Sequence, residues 1–381
     1  MNARHGIQIL ESISAVPAAQ WDALAGDNPF LSHTYLGALE SGGCVGGDTG
    51  WTPCHLTLWR SARLAAAMPL YLKIHSYGEY VFDWAWADAF QRHGLRYYPK
   101  LLSAIPFTPV TGPRLLAASD ADRLALIEGA LDFASRSGVS SLHCLFPTQA
   151  EARAMADAGM LLRQTVQFHW QNAGYADFDG FLARMNHDKR KKIRQERRRL
   201  REMGLRFERL TGAAAQESDW RFFYDCYRRT YRQHMSTPYL SFEFFLTLAR
   251  AMPANLVLVL AYEGERPVAA AFDVRSQDAL YGRYWGTREF YPGLHFEACY
   301  YQAIEHCIEH GIARFEGGAQ GEHKLARGLL PVATYSAHWI AQPEFRHAIA
   351  EHLRRETRGI DHYVHELSEH SPFVRGQAPG G

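Results

Sequence analysis

The sequence predicts a mixed-sheet α/β fold (α+β in its sheets) built from two like halves, and three observations carry that prediction. A turn and strand occur twice, Arg63-Leu64-Ala65-Ala66-Ala67-Met68 and Pro267-Val268-Ala269-Ala270-Ala271-Phe272, each followed by a tyrosine-rich stretch that reads as strand, Tyr77-Gly78-Glu79-Tyr80 and Tyr281-Gly282-Arg283-Tyr284. Each half then has a helix that stops at a glycine, Gly138 or Gly311, before a short strand ending at His143 or Glu316. Each half closes on a strand ending in His-Trp, at His169-Trp170 and His338-Trp339. Landmarks repeated in one order imply a duplicated chain, with the cleft between the halves as the default place for a site. The expected domains are 1–175 and 176–370, with a flexible Pro/Gly-rich tail at 371–381.

The elements follow in order. Ile7 to Ile13 reads as strand, Pro17 to Ala25 and Ser32 to Glu40 as helices, and the glycine-rich Ser41 to Gly50 as loop. His55 to Trp59 and Leu64 to Ile74 form a hairpin about Arg60-Ser61, and Tyr80 to Trp86 continues strand-like. The proline-rich Pro99 to Pro113 is expected to be irregular. Asp122 to Ser137 is a helix, Ser141 to Phe146 a strand, Thr148 to Ala158 a helix and Gln164 to Trp170 a strand. In the second half, Arg206 to Leu210, Leu256 to Tyr262, Val268 to Val274, Leu280 to Trp285, Arg314 to Glu316 and Ser336 to Ile340 are strands. Ser218 to His234, Phe242 to Ala251, Phe296 to His310 and Pro343 to Leu367 are helices.

Bulk composition narrows the function class. Hydrophobic residues make up 47%, enough for real cores, and the net charge of +1 gives no global field to draw in nucleic acid. Six cysteines without a CxxC read as reduced thiols, Met1 to Ser14 lacks a signal-length apolar run, and no 18 apolar residues occur together. The expected location is cytoplasmic. Nineteen histidines include His306 and His310 at i, i+4, but no third spaced ligand, so no metal is expected.

Charge is instead concentrated in one helix, expected over Phe178 to Met203. Lys189 to Arg201 holds nine Lys/Arg against one Glu, over a thin apolar stripe of Leu182, Met185, Ile193, Leu200 and Met203. Such self-repulsion calls for an anion. Lys189, Arg190, Lys192, Arg194, Arg197 and Arg198 are therefore read as a patch for a tRNA backbone, an anionic membrane surface or a phosphorylated acceptor.

A hairpin sheet, a helix after its last strand and a fifth strand beside the fourth resembles the layout of GNAT-type acyltransferases. Two such units joined near a basic helix resemble the tandem Fem-like branch, and most closely the N-acyltransferases of peptidoglycan biosynthesis/recognition type. The residues that carry the likeness are Asn28-Pro29-Phe30-Leu31-Ser32, Pro69-Leu70-Tyr71-Leu72-Lys73, Pro106-Phe107-Thr108-Pro109-Val110-Thr111-Gly112-Pro113-Arg114 and, above all, Glu316-Gly317-Gly318-Ala319-Gln320-Gly321-Glu322-His323-Lys324-Leu325-Ala326-Arg327-Gly328. The resemblance implies acyl-CoA or aminoacyl-tRNA as donor. One feature departs from it. The turn Arg288-Glu289-Phe290-Tyr291-Pro292-Gly293-Leu294-His295-Phe296 has the wrong spacing for a pyrophosphate loop, and Pro292 has no amide hydrogen.

Amide formation needs a deprotonated amine, a polarised carbonyl and a clamp for the partners. Glu316, at a strand end before the glycine loop, is the first candidate base; Glu297, early in the next helix, competes with it. Arg283 is read as holding the acyl carbonyl, on the strand face it shares with Trp285, with Tyr284 on the other face. Gly317, Gly318 and Gln320 form the loop, and His323, Lys324 and Arg327 grip an anion, His323 and Arg327 sharing a helical face. In the first half, Asp83, Trp84 and Trp86, with Asp88, read as a pocket wall on a strand and its exit. The expected function is direct acyl or aminoacyl transfer to an amine acceptor, an envelope precursor, in the interdomain cleft. The alternative is a non-catalytic module that recognises an anionic ligand.

Overall fold

The computed structural model describes residues 6–319, 321–374 and 378. The chain forms two compact units, Met1–Thr165 with Ala333–His362, and Val166–Val332 with Tyr363–Gly381. The sequence reading divided the chain once, at 175/176; the units instead exchange segments.

The first unit runs β1 (Gly6–Leu10), α1 (Ala18–Ala25), α2 (His33–Ser41), β2 (Trp51–Pro53), β3 (His55–Arg60), β4 (Arg63–Met68), β5 (Tyr71–Lys73), α3 (Trp84–Arg92), β6 (Lys100–Ser103), β7 (Leu116–Ala117), α4 (Asp120–Arg136), β8 (Ser141–Leu145) and α5 (Gln149–Asp157). β9 (Leu161–Gln171) then crosses the unit boundary. β1, β3, β4 and β7 pair antiparallel. β2, β5 and β6 also pair antiparallel, and β6 lies parallel to β8. Leu126, Ile127, Ala130 and Ala134 of α4 pack on Leu56, Leu58, Ala66 and Met68, the helix having been started by Ser119, whose Oγ accepts from the Asp122 amide.

The second unit runs α6 (Phe178–Ala183), α7 (His187–Glu202), β10 (Leu205–Thr211), α8 (Glu217–Gln233), α9 (Phe242–Ala251), β11 (Leu256–Glu263), β12 (Arg266–Arg275), β13 (Ala279–Thr287), α10 (Leu294–Phe296), a π-helical turn Glu297–Tyr301, α11 (Gln302–Glu309) and β14 (Arg314–Glu316). β15 (Leu330–Ile340) and α12 (Pro343–Glu369) follow, and their Ala333–His362 stretch belongs to the first unit. β10 to β13 form an antiparallel meander and β14 joins β13 in parallel. One sheet face packs on Tyr300, Tyr301, Ala303, Ile304 and Cys307; the other, through Phe272 and Tyr284, meets Phe223, Tyr227 and Phe245.

The repeat is present in both registers. β14 pairs with β9 through Glu316↔His169 and Phe315↔Trp170, and β8 pairs with β15 through His143↔His338 and Leu142↔Trp339. Each His-Trp strand therefore closes the unit opposite to its own half of the sequence. This is the GNAT-like layout twice over: a strand, a crossover helix, a parallel neighbour and an antiparallel strand beyond it.

Several local expectations are corrected. Tyr77–Tyr80 is not a strand but bends and a turn, and Asp83 precedes helix α3 rather than sitting on a strand. Leu64 to Ile74 is two strands, broken at Pro69-Leu70, where the Leu70 carbonyl accepts from Cys54. Proline-rich Pro99 to Pro113 contains β6, because Pro99 falls just before the paired residues. The expected helix Phe178 to Met203 breaks at Arg184–Asn186, where Asn186 Oδ1 caps α7 and Met185 bridges Phe373. Residues 371–374 of the expected tail are held: Phe373 is buried and the Val374 amide donates to Arg184. Residues 375–377 and 379–381 lie outside the described residues.

Candidate functional site

The site is built where β13 outruns β14. The parallel pairing covers Ala279–Tyr281, yet β13 continues to Thr287. In the same stretch the register with β12 slips between Phe272↔Tyr284 and Asp273↔Gly282, which leaves Arg283 as the extra residue of a bulge. Tyr284 and Trp285 part to opposite faces, but Arg283, expected beside Trp285, instead sets its guanidinium 5.1 Å from the Tyr284 ring centre because the bulge breaks the alternation. Tyr284 lies 5.0 Å from Tyr227, on the face that packs against α8, and Trp285 lies 4.8 Å from His295 on the other.

Glu316 ends β14 and is 4% exposed. Its Oε1 accepts from Arg314 Nε at 3.1 Å, while Oε2 has no hydrogen-bond partner among the described residues. Burial pushes its carboxyl up to about 7, against the pull of Arg314 and Arg283. His169 Nε2 is 3.8 Å from Oε2, but burial, with Arg314 and Lys324, pushes that imidazole down to about 3, so the pair is not ionic. Arg314 is itself fixed by Asp278 at 2.5 Å and the Tyr281 hydroxyl at 3.2 Å. His169 and Arg314 were named in no sequence-based site; only the His-Trp landmark pointed to the former.

The glycine loop turns straight off Glu316. A Cβ on Gly317 would stand 2.7 Å from Leu329 Cδ2, and Gly318 has φ +86, so neither position takes a side chain without strain. Lys324 Nζ donates to the Gly318 carbonyl at 2.8 Å and is 2% exposed. Burial pushes it down to about 8, with Cys299 pulling the other way. Gln320 lies outside the described residues.

The expected face shared by His323 and Arg327 is corrected. Glu322–Arg327 is a 3₁₀ helix, in which i and i+3 align, so Lys324 and Arg327 turn inward together. Arg327 donates to the His323 carbonyl at 2.7 Å and to Glu196 at 3.3 Å, with its guanidinium 3.3 Å from the Phe296 ring centre. His323 meets the Tyr300 hydroxyl at 3.1 Å. Glu297 is buried in an ion pair: Arg197 Nε reaches both its oxygens at 3.1 Å, and Gln302 donates at 2.8 Å. Both Glu297 oxygens are thus engaged, whereas Glu316 Oε2 has no hydrogen-bond partner among the described residues.

Arg197 accordingly leaves the anion patch and turns inward, also bonding Glu305 at 3.0 Å. Arg190, Lys191, Arg194 and Arg198 line one flank of α7 and a groove of about 480 Å³ with His187 and Gln195. Arg194 pairs with Asp179 and Arg198 with Glu202. Lys189 is half-buried and Lys192 exposed.

Asp83 and Trp86 belong to a different assembly, within the first unit. Lys100, fully buried, donates to Asp83, to Glu79 at 2.8 Å and to Ser76 at 2.7 Å. Tyr97 hydroxyl donates to Asp83 at 2.5 Å and meets His143 at 3.1 Å, and His143 contacts His338 at 2.6 Å. Trp86 packs 4.9 Å from His338; Trp84 is 43% exposed. Sequence reading missed Lys100, Glu79 and the histidine pair, since only their mutual burial marks them. Among the described residues no group of three or more His, Cys, Asp or Glu is placed to hold a metal ion.

The turn expected to depart from a pyrophosphate loop does so. Gly293 has φ +91, and the amides of Leu294 and Glu297 are spent on the carbonyls of Tyr291 and Gly293.

The FemAB_like family, described as peptidoglycan biosynthesis/recognition, matches residues 12–375. A structure assigned as the C-terminal domain of a lysylphosphatidylglycerol synthetase from Agrobacterium fabrum matches with a TM-score of 0.54 at 10% identity, over 90% of this chain and 95% of that one. FemX matches with 0.53 at 12%, over 87% and 98%. L-PGS from Bacillus licheniformis matches with 0.52 at 12%, over 88% and 95%. At such identities the likeness is one of fold. No curated protein matches the sequence.

Proposed function

The chain belongs to the FemAB_like family, and from that premise we propose that it is an acyl- or aminoacyltransferase that forms an amide on an amine of an envelope precursor. The observation that carries this reading is Glu316, a buried carboxyl with one unpartnered oxygen among the described residues and a proton affinity near neutrality. In the proposed reaction Glu316 takes a proton from the acceptor ammonium. The free amine attacks the acyl carbonyl, the N–C bond forms, and the ester or thioester bond to the carrier breaks, the carrier oxygen or sulfur leaving with a proton. Arg283, at the bulge, meets the charge that develops on the carbonyl oxygen. Lys324 holds the loop closed and lends positive charge.

Because Pro292 has no amide hydrogen and the amides of Leu294 and Glu297 are spent on the Tyr291 and Gly293 carbonyls, this turn offers fewer donors to a CoA pyrophosphate. We therefore place aminoacyl-tRNA first as donor and acyl-CoA second. The outward flank of α7 is the proposed anion surface for that donor. Replacing Arg190, Lys191, Arg194 and Arg198 together by Gln should reduce the slope of log K against log salt by about 3 in magnitude for tRNA binding. An unchanged slope removes α7 from the donor site.

Turnover of charged tRNA or acyl-CoA with a nucleotide-linked muropeptide tests the transferase reading. Binding of these ligands without turnover would return the protein to a recognition role. Lys324→Met, at a buried ammonium with no carboxylate partner among the described residues, should weaken donor binding by about tenfold, one charge-assisted contact; unchanged affinity for each donor that wild type binds excludes Lys324 from the site.

A further inference from the structure

Along residues 73–84 of the first unit, buried Val81 apart, the usual burial of charged and large apolar side chains is reversed. Lys73, Ser76, Glu79 and Asp83 are 0, 5, 4 and 3% exposed, whereas Ile74, Tyr77, Phe82 and Trp84 are 59, 56, 53 and 43% exposed. The inversion is held from within. Lys73 Nζ and Trp51 Nε1 donate to the Tyr77 carbonyl at 3.3 and 3.2 Å. Lys100 ties down Ser76, Glu79 and Asp83, and Arg163 donates to the Phe82 carbonyl at 2.8 Å.

A segment that buries its charges and wets its large apolar side chains bears both costs at once in water. The second cost disappears if the outer face meets an apolar medium. Tyr77 and Trp84 rings lie 5.2 Å apart, and Trp84 joins Leu95, Tyr98 and Arg96 along a groove of about 460 Å³. Arg92 and Arg96 are exposed beside it; Arg92 pairs with Asp88, and no ion pair involves Arg96 among the described residues. Amphipathic rings and aliphatic tips flanked by arginine match a lipid–water boundary, where rings sit at headgroup level and guanidinium groups meet phosphates.

We propose that this face docks the protein on an anionic phospholipid surface, with Ile74, Tyr77, Phe82 and Trp84 entering the headgroup layer and Arg92 and Arg96 at lipid phosphates. No helix among the described residues is long and apolar enough to cross a membrane, so the contact is peripheral. The proposal is independent of the transferase reading.

The test is co-sedimentation of the full chain with vesicles of phosphatidylcholine alone or with phosphatidylglycerol added. Wild type should partition onto the phosphatidylglycerol vesicles. Phe82→Ser with Trp84→Ser should lower that partitioning at least about tenfold, and Arg96→Gln should lower only its dependence on phosphatidylglycerol. Quenching of tryptophan fluorescence by brominated lipid, lost in Trp84→Phe, keeps the test open if the double variant misfolds. Wild type left in the supernatant overturns the proposal, as does a double variant that binds like wild type. A wild-type dimer by light scattering that becomes a monomer in the double variant, without vesicle binding, would assign the face to a second copy instead.

Discussion

Replacing Glu316 by Gln is expected to lower kcat/KM by about 10² to 10⁴, the usual range for loss of a positioned base. The substitution keeps size and shape, so the loss reports the carboxylate. The pH profile gives the sign. Burial raises the Glu316 carboxyl to about 7, and only the deprotonated form accepts a proton, so wild-type kcat/KM should rise with pH and level off above about 7. That limb should vanish in Glu316→Gln. The same shift has a stability consequence. The folded state holds this proton more tightly than the unfolded chain, so the contribution is full below the ordinary glutamate range and is lost as pH rises through about 7. A variant with wild-type rate at all pH values would end the case for Glu316 as base.

The second large effect is on stability. Lys100→Met should destabilise the first unit by about 3–5 kcal/mol, the cost of breaking a buried pair by removing one partner. Its ammonium serves both Asp83 and Glu79, which are 3% and 4% exposed. The two carboxyls respond differently. Burial pushes Glu79 up to about 7 despite Lys100. For Asp83, burial is outweighed by Lys100, His143 and the hydrogen bond from Lys100, which hold it well below the usual carboxylate range. The Asp83 contribution is therefore present above that range and lost as pH falls through its folded value. Adding Asp83→Asn to Lys100→Met should restore part of the loss, measured as the urea midpoint of the first unit's transition. A Lys100→Met midpoint equal to wild type would mean that the cluster is not a coupled network.

Much of this was legible beforehand. The duplication was readable because short apolar strands and glycine-stopped helices leave local marks, and Glu316, Gly317, Gly318 and Lys324 stood together in one segment. The exchange of His-Trp strands was not, because partner choice depends on contacts far apart in sequence. Asp83 and Trp86 were singled out as a wall, but their role follows from Lys100, which reads as an ordinary surface residue until burial is known. Arg197 looked like one more charge in a run, and only Glu297 and Glu305 reveal why it turns inward. His323 and Arg327 were assigned a common face by assuming an α-helical turn where the chain makes a 3₁₀ one.

The most direct measurement needs no substrate. In protein carrying ¹³C at the glutamate carboxyl carbon, the resonance lost in Glu316→Gln identifies residue 316, and its shift can be followed against pH. A midpoint at about 7 is the result predicted from its burial. A midpoint at the ordinary glutamate value of about 4.3 would contradict the account, for that side chain would then be a solvated carboxylate with no special claim on a proton.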